Sequence, residues 1–215
     1  VNPLRGQNNV QGACDMGGLP NYYPGYQFVD DEAVRLKFEA AWGRPLSPAR
    51  GLTAMEMMHG LQEGKLKAMI IMGENPVVSD PDSGHVMKAL SSAEFLLCLD
   101  IFPTPTTELA HMVLPGASFA ETDGTFTNSE RRVQRVRQAI PPMAGRTNGQ
   151  IIQALSRRLG YAMHYASASE VFDEICSLAP NMGGMSYVRL EGKGLCWPCP
   201  APDHPGTPIL HQGRF

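Results

Sequence analysis

Ala68-Met-Ile-Ile-Met72, Gly73-Glu-Asn-Pro76 and, beyond a polar stretch, Glu94-Phe-Leu-Leu-Cys-Leu-Asp100 decide the fold. Both apolar runs have strand length, and the segment from Ser83 to Leu90 between them has helical spacing. Strand, loop, helix and strand within about 33 residues form a parallel crossover unit. Its strands are apolar throughout because helices cover both faces of such a sheet. After a short turn or helix around Thr106 to Ala110, Met112-Val-Leu-Pro115 supplies a third short strand. The expected fold class is α/β, a three-layer αβα sandwich with a mostly parallel, Rossmann-like central sheet. Ligands of such sheets sit at the carboxyl ends of the strands, where Gly73 and Asp100 fall.

Working outward, Val34, Phe38 and Ala41 mark an amphipathic helix from Asp30 to Trp42, closed by Gly43 and Pro45. A second starts after Gly51 with Thr53 as cap and ends at Gly64; its Met57, Met58 and Leu61 read as adaptable core filler. Further on, Arg131 to Arg137 alternates imperfectly as a strand, and Asn148 to Leu159 is an amphipathic helix stopped by Gly160. Ser167 or Ser169 caps another helix over Val171 to Leu178. Residues 1–27, rich in Gly, Asn, Gln, Pro and Tyr, have no sustained period and are predicted to be an extended loop. Nothing in the sequence offers residues 1–25 a compact core, which predicts poor order there when neighbouring domains and the cofactor are absent. Gly116 to Ser129 is a second polar loop, and the chain beyond Pro180 is Gly/Pro-rich. Two segments are expected: a cofactor- and substrate-proximal loop at 1–27, and an α/β domain at 28–215 with a helical and Gly/Pro-rich extension.

Composition narrows the function. With 215 residues and 43% hydrophobic content the chain is long and apolar enough for a sizeable core. A formal charge of -3 and a pI near 6.1 speak against a partner such as nucleic acid, which requires a strongly positive face. No apolar run reaches the ~18 residues of a membrane span. The start, VNPLRGQNN, has no signal-peptide pattern and no initiating Met, from which a cut or processed N-terminus is expected. Five cysteines, an odd number, point to a reducing, cytoplasmic setting. Cys196-Trp-Pro-Cys199 reads either as a redox or metal half-site or as a plain buried or loop pair. The histidines are scattered, no compact His/Cys ligand set is present, and no metal ligand is assigned.

Three loops carry residues suited to ligand chemistry. In Arg5-Gly-Gln-Asn-Asn9 a fixed cation and three amides lie beside a glycine, suited to a carboxylate or phosphate and to a heterocycle; a surface turn is the other reading. Gly73-Glu-Asn-Pro76 combines close backbone approach with two hydrogen-bonding side chains, and reads equally as an ordinary strand-end turn. Asp100 can accept two hydrogens from a base edge, with Thr104, Thr106 and Thr107 following it; a loop-capping aspartate is the alternative. Around the next loop stand Glu121, Asn128 and four arginines between 131 and 137, which face phosphates or solvent.

Arg5-Gly-Gln-Asn-Asn-Val-Gln-Gly-Ala-Cys-Asp-Met-Gly17 resembles the molybdopterin oxidoreductase superfamily, and most closely the catalytic subunit of formate dehydrogenases. The likeness continues in order through Tyr23-Pro-Gly-Tyr26, Met72 to Pro76, Asp100-Ile-Phe102, Val113-Leu-Pro115, Gly124-Thr-Phe-Thr-Asn128, Glu130 to Gln134 and Trp197-Pro-Cys199. The resemblance implies an internal fragment of a large subunit that oxidises formate to carbon dioxide. Its cofactor would be a molybdenum or tungsten bis(molybdopterin guanine dinucleotide). It implies that Arg5 orients formate, that Gln7, Asn8 and Asn9 lie near the pterin or its phosphates, and that Gly73, Glu74, Asn75, Pro76 and Asp100 line the guanosine end. Thr104 and Thr106 are implied as phosphate neighbours, and Asn128 as support for that wall. The 4Fe-4S ligands and the metal-binding Cys or selenocysteine of the family are not among these residues, and Cys14 does not replace them. Remaining domains of the subunit, electron-transfer subunits and formate are the implied partners, and the fragment alone is expected to be inactive. Another member of the superfamily, nitrate reductase-like, and a stand-alone nucleotide-binding or assembly module are the competing readings.

Overall fold

The computed structural model describes residues 6–211 and 213. Its elements in chain order are α1 (Val10–Asp15), β1 (Tyr22–Tyr23), β2 (Gln27–Phe28), α2 (Glu32–Trp42), α3 (Ala54–Gln62), β3 (Ala68–Met72), α4 (Pro76–Ser79), α5 (Ser83–Ser91), β4 (Phe95–Asp100), α6 (Pro105–Glu108) and β5 (Met112–Pro115). There follow β6 (Gly124–Thr127), β7 (Arg132–Val136), α7 (Asn148–Arg158), α8 (Ala168–Leu178), α9 (Tyr187–Leu190) and β8 (Leu195–Cys196). The chain divides into two compact units. The parallel-sheet unit comprises Leu52–Thr122 and Gln138–Ala162; the hairpin unit comprises the described residues of Val1–Gly51, Asp123–Arg137 and Met163–Phe215.

In the parallel-sheet unit the strand order is β3-β4-β5, all parallel, with Ile70 opposite Leu97 and Leu97 opposite Met112. The α/β reading of the sequence is therefore correct. Leu96 through Leu99 of the central strand are all buried, as expected for a strand covered on both faces. Because side chains alternate along a strand, Leu96 and Cys98 share a face with Ile71. That face packs on Met58 and Leu61 of α3 and on Val86, Ala89 and Leu90 of α5. Local chemistry sets the helix starts. Thr53 and Glu56 form a reciprocal capping box on α3, and Thr147 with Gln150 does so on α7. Asn148 then pins α7 to the loop after β5, accepting from Ala117 N (2.8 Å) and donating to Ala117 O (3.3 Å).

The hairpin unit is built on β6 and β7, which pair antiparallel, with β8 added to the other edge of β7. Residues 124–127, expected within a polar loop, form strand β6 because Thr125, Phe126 and Thr127 suit a pleated surface and β7 supplies their ladder. Val133 turns into a core with Phe172, Met182, Leu190 and Cys199. Cys196 and Cys199 are thus buried packing residues, and all five cysteines are free. In α2, capped by Asp31, Phe38 is fully buried and stacks on Tyr23 at 4.6 Å.

Replacing Leu96, which has no exposed surface, with Ala is expected to cost about 2–5 kcal/mol in denaturant unfolding, since a cavity remains in the sheet. Met143→Ala, at a side chain 91% exposed, should stay within about 0.5 kcal/mol. Equal losses for the two would contradict this placement of the core.

Candidate functional site

The carboxyl ends of β3 and β4 place the sequence-predicted residues of the parallel-sheet unit side by side, since Met72 and Leu99 are paired in the ladder. Gly73 donates its N–H to Leu99 O (2.8 Å) and then turns the chain with φ +61°, a conformation that a side chain would strain. No atom lies within 4 Å of where a Cβ would stand, so the loop opens outward. Glu74 is exposed, and its carboxylate accepts from Ser79 Oγ (2.7 Å). Asn75 is half-buried at the head of α4, with Pro76 buried at the first helical position. At the end of β4, Asp100 uses Oδ1 alone to cap its own loop, accepting from Ile101 N (2.6 Å) and Phe102 N (3.3 Å). The loop-capping reading of this aspartate is seen in Oδ1, while Oδ2 has no hydrogen-bond partner among the described residues.

The threonines divide the work differently from the sequence expectation. Thr104 caps α6, accepting from Thr107 N (3.1 Å), while Thr107 Oγ1 accepts from Thr104 N (2.7 Å). Thr106 is fully buried; its hydroxyl donates to Asn75 Oδ1 (2.7 Å) and accepts from Val77 N (3.3 Å). Thr106 was expected beside a phosphate, but its hydroxyl is spent inside the protein. Glu121 is also internal: its carboxylate accepts from Met143 N (2.6 Å) and Ser118 N (2.7 Å). These hydrogen bonds, that from Met143 first, hold it below the usual carboxylate range.

In the hairpin unit Gln7 and Asn8 are exposed, and Asn9 heads α1 in the left-handed region at φ 60°. Asn9 Oδ1 accepts from Thr127 N (2.9 Å), which ties this loop to β6 next to Asn128. A Cβ at Gly12 would overlap the Asn9 amide and displace it, so glycine leaves room for this side chain. Asn128 Oδ1 accepts from Glu130 N and Arg132 N, both at 3.0 Å, and so shapes the β6–β7 turn. Arg5 lies outside the described residues. The arginines expected to face phosphate or solvent pair with groups of this chain, and Arg137 does so while exposed to solvent. Arg131 bonds the carbonyls of Trp197 and Thr207, Arg132 bonds Glu130, and Arg137 bonds Glu191. Arg135 spans Asp123 and Glu191 and lies over the Tyr187 ring.

Sequence reasoning missed Asp15. It has no exposed surface, and accepts from Gln11 Nε2 (2.8 Å) and Trp197 Nε1 (2.8 Å). Gln11 Nε2 also reaches Tyr26 Oη at 2.9 Å. Burial pushes the Asp15 carboxyl above its ordinary 3.8, and the bonds from Gln11 and Trp197 oppose that rise without cancelling it. Tyr26 is raised as well, by burial first and then by the Asp15 charge. The network gives the segment after Arg5 the internal support that its composition did not promise. Asp15 to Trp197 spans 182 positions, and the one available signal was a carboxylate followed closely by aromatic residues. Among the described residues no group of three or more His, Cys, Asp or Glu stands together to hold a metal ion, and no helix is long and apolar enough to cross a membrane.

Residues 2–158 match the family model described as molybdopterin oxidoreductase. The chain is 52% identical, over all of its length, to the F420-dependent formate dehydrogenase subunit alpha of Methanocaldococcus jannaschii, and covers 32% of that protein. It is 42% identical, again over all of its length, to formate dehydrogenase H of Escherichia coli, and covers 31% of it. The chain therefore spans about a third of the length of these relatives. Among solved structures, the acetylene hydratase from Pelobacter acetylenicus matches 77% of this chain with a TM-score of 0.55 at 19% identity, a likeness of fold.

An aspartate raised by burial favours the folded state while it is protonated. That contribution is complete below the ordinary 3.8 and is lost as pH rises through the folded value. A carboxyl-detected NMR titration should give Asp15 a midpoint above 3.8, and Trp197→Phe, which removes a donor to the carboxylate, should move it higher still. An unchanged or lower midpoint in the variant would show that the Trp197 bond does not act on this carboxyl.

Proposed function

The chain belongs to the molybdopterin oxidoreductase family, and on that premise we propose that it forms the part of a formate dehydrogenase catalytic subunit that holds the guanosine end of one pterin dinucleotide. The observation that carries this reading is Asp100: a carboxylate at the carboxyl end of the central parallel strand, with one oxygen anchored by its own loop and the other unpaired. Such an oxygen suits the N–H donors of a guanine edge. Gly73, with open space before it, lets the backbone approach the nucleotide, and Glu74 and Asn75 present polar groups beside it. The donor set thus fits the dinucleotide without any metal ligand from these residues. Gln7 and Asn8 would meet the pterin portion, with Asn9 and Asn128 fixing their loop to β6, and Thr104 would meet a phosphate.

When bound, a molybdenum or tungsten centre would supply the acceptor for the two electrons released, together with one proton, as formate becomes carbon dioxide. The chain's own residues bind and orient that group, and Arg5 would hold the formate carboxylate through its guanidinium fork. Relatives named as formate dehydrogenases align with the whole chain, which favours formate over other substrates of the family. In this reading the residues at 28–215 form the nucleotide-holding domain. Further domains of the same subunit, 4Fe-4S centres held outside these residues and electron-transfer subunits complete a cytoplasmic enzyme, and the chain alone is inactive.

Calorimetric titration of the chain with GDP and with ADP tests the nucleotide assignment. GDP should bind more tightly, and Asp100→Asn should weaken GDP about tenfold or more by facing guanine donors with an amide donor, leaving ADP unchanged. Equal affinity for the two nucleotides would reject the guanosine reading. For the substrate, a polypeptide containing this sequence, purified with its metal and pterin, should reduce a viologen dye when given formate. A metal- and pterin-loaded preparation without formate-dependent reduction would reject formate alone.

A further inference from the structure

Thr106 joins the two strand-end loops through a single hydroxyl. It has no exposed surface; Oγ1 accepts the Val77 N–H at 3.3 Å and lies 2.7 Å from Asn75 Oδ1. A hydroxyl has one proton to give. Here the Asn75 oxygen is its acceptor. With the amide reversed, one N–H would donate to the hydroxyl oxygen, whose second lone pair can accept it beside Val77 N, but the hydroxyl proton would lose this acceptor in a fully buried position. A buried donor without a partner is costly, so the polarity of the amide is set. Its oxygen is held inward. Asn75 Nδ2 has no hydrogen-bond partner among the described residues, and it is not one of the buried unpartnered atoms, so it remains open to a ligand.

The two loops then present opposite chemistry at neighbouring strand ends. Asp100 offers an acceptor that can only accept, and Asn75 offers N–H donors. We infer that Thr106 is a positioning residue that fixes the amide polarity of Asn75, so that the Gly73–Pro76 loop selects an oxygen of the ribose or phosphate while Asp100 takes the base edge. This rests on the guanosine-holding reading of the same site and adds to it the residue that orients the donor. Thr106 acts through Asn75 and touches no ligand. Its place in the sequence, 31 positions from Asn75, gives no sign of that coupling.

The test compares the wild-type chain with Thr106→Ser, Thr106→Val and Asn75→Asp, using GDP as the probe. Thr106→Ser keeps the hydroxyl and should bind GDP within about twofold of wild type. Thr106→Val keeps the shape, loses the hydroxyl, and should weaken GDP about tenfold. Asn75→Asp leaves Thr106 an acceptor but replaces the outward amide with an oxygen, and should weaken GDP at least as much. A ligand-free readout accompanies these: the NMR order parameter of the Asn75 side-chain amide should be high in wild type and Thr106→Ser and fall in Thr106→Val. GDP binding by Thr106→Val equal to wild type, or an Asn75 amide as rigid in Thr106→Val as in wild type, overturns the inference. If the amide loosens in Thr106→Val but the wild-type chain binds no GDP, the positioning role stands and the guanosine reading fails. If Thr106→Val does not fold, Asn75→Asp decides: undiminished GDP affinity there overturns the selection of an oxygen acceptor.

Discussion

The burial of β4 is the constraint on which the parallel-sheet unit depends. From Leu96 to Leu99 the strand runs through apolar surroundings between its two neighbours, and no position there tolerates an unpaired polar group. After the four buried residues, Asp100 at the carboxyl end of the strand escapes complete burial. A parallel sheet also delivers the ends of adjacent strands to the same side, so the turn at Gly73 arrives beside it. The site is therefore a consequence of the core: the sheet is apolar along its length, and its polar chemistry is displaced to one end.

At that end the loops are held by hydrogen bonds rather than by apolar contact. Short helices of four residues, α4 and α6, cannot be stable alone and are fixed by their heads, through Pro76 in one and the Thr104–Thr107 capping box in the other. Thr106 then links one head to the other. Each bond contributes on the order of 1 kcal/mol net, but losing one partner of a buried pair leaves the other unsatisfied, which is the larger effect. Positions that look modest energetically thus decide orientation. In the hairpin unit the same logic centres on Asp15, whose buried carboxylate is satisfied by the Trp197 indole and the Gln11 amide.

Much of this was legible in the residue order. The apolar runs at 68–72 and 95–100, the helix between them and the caps at Thr53 and Ser167 stand where periodicity and capping chemistry place them. Strand β6 was not legible, because Gly124 and Asn128 give its segment a loop composition and its strand character comes from pairing with β7. Helix α1 was not legible either: its six residues contain a glycine, and its support comes from Asn9, β6 and Trp197. For the arginines at 131–137 the partners were not legible, since charge density along a sequence does not reveal which carboxylates and carbonyls fold back to meet it.

The sequence by itself determined the α/β class, the crossover unit, the strand ends at which the candidate residues fall and the family to which the chain belongs. These depend on short-range patterns, apolar runs, caps and ordered motifs, which are complete within tens of residues. Tertiary structure decided which polar groups remain available. It turned Thr106 inward and left one oxygen of Asp100 and the amide nitrogen of Asn75 outward, and it buried Asp15 beneath Trp197. The physical reason is that a hydrogen bond is satisfied by whatever the fold brings within about 3 Å. For these groups the partner lies 1 residue away in one case and 182 in another, and only the folded chain chooses between them.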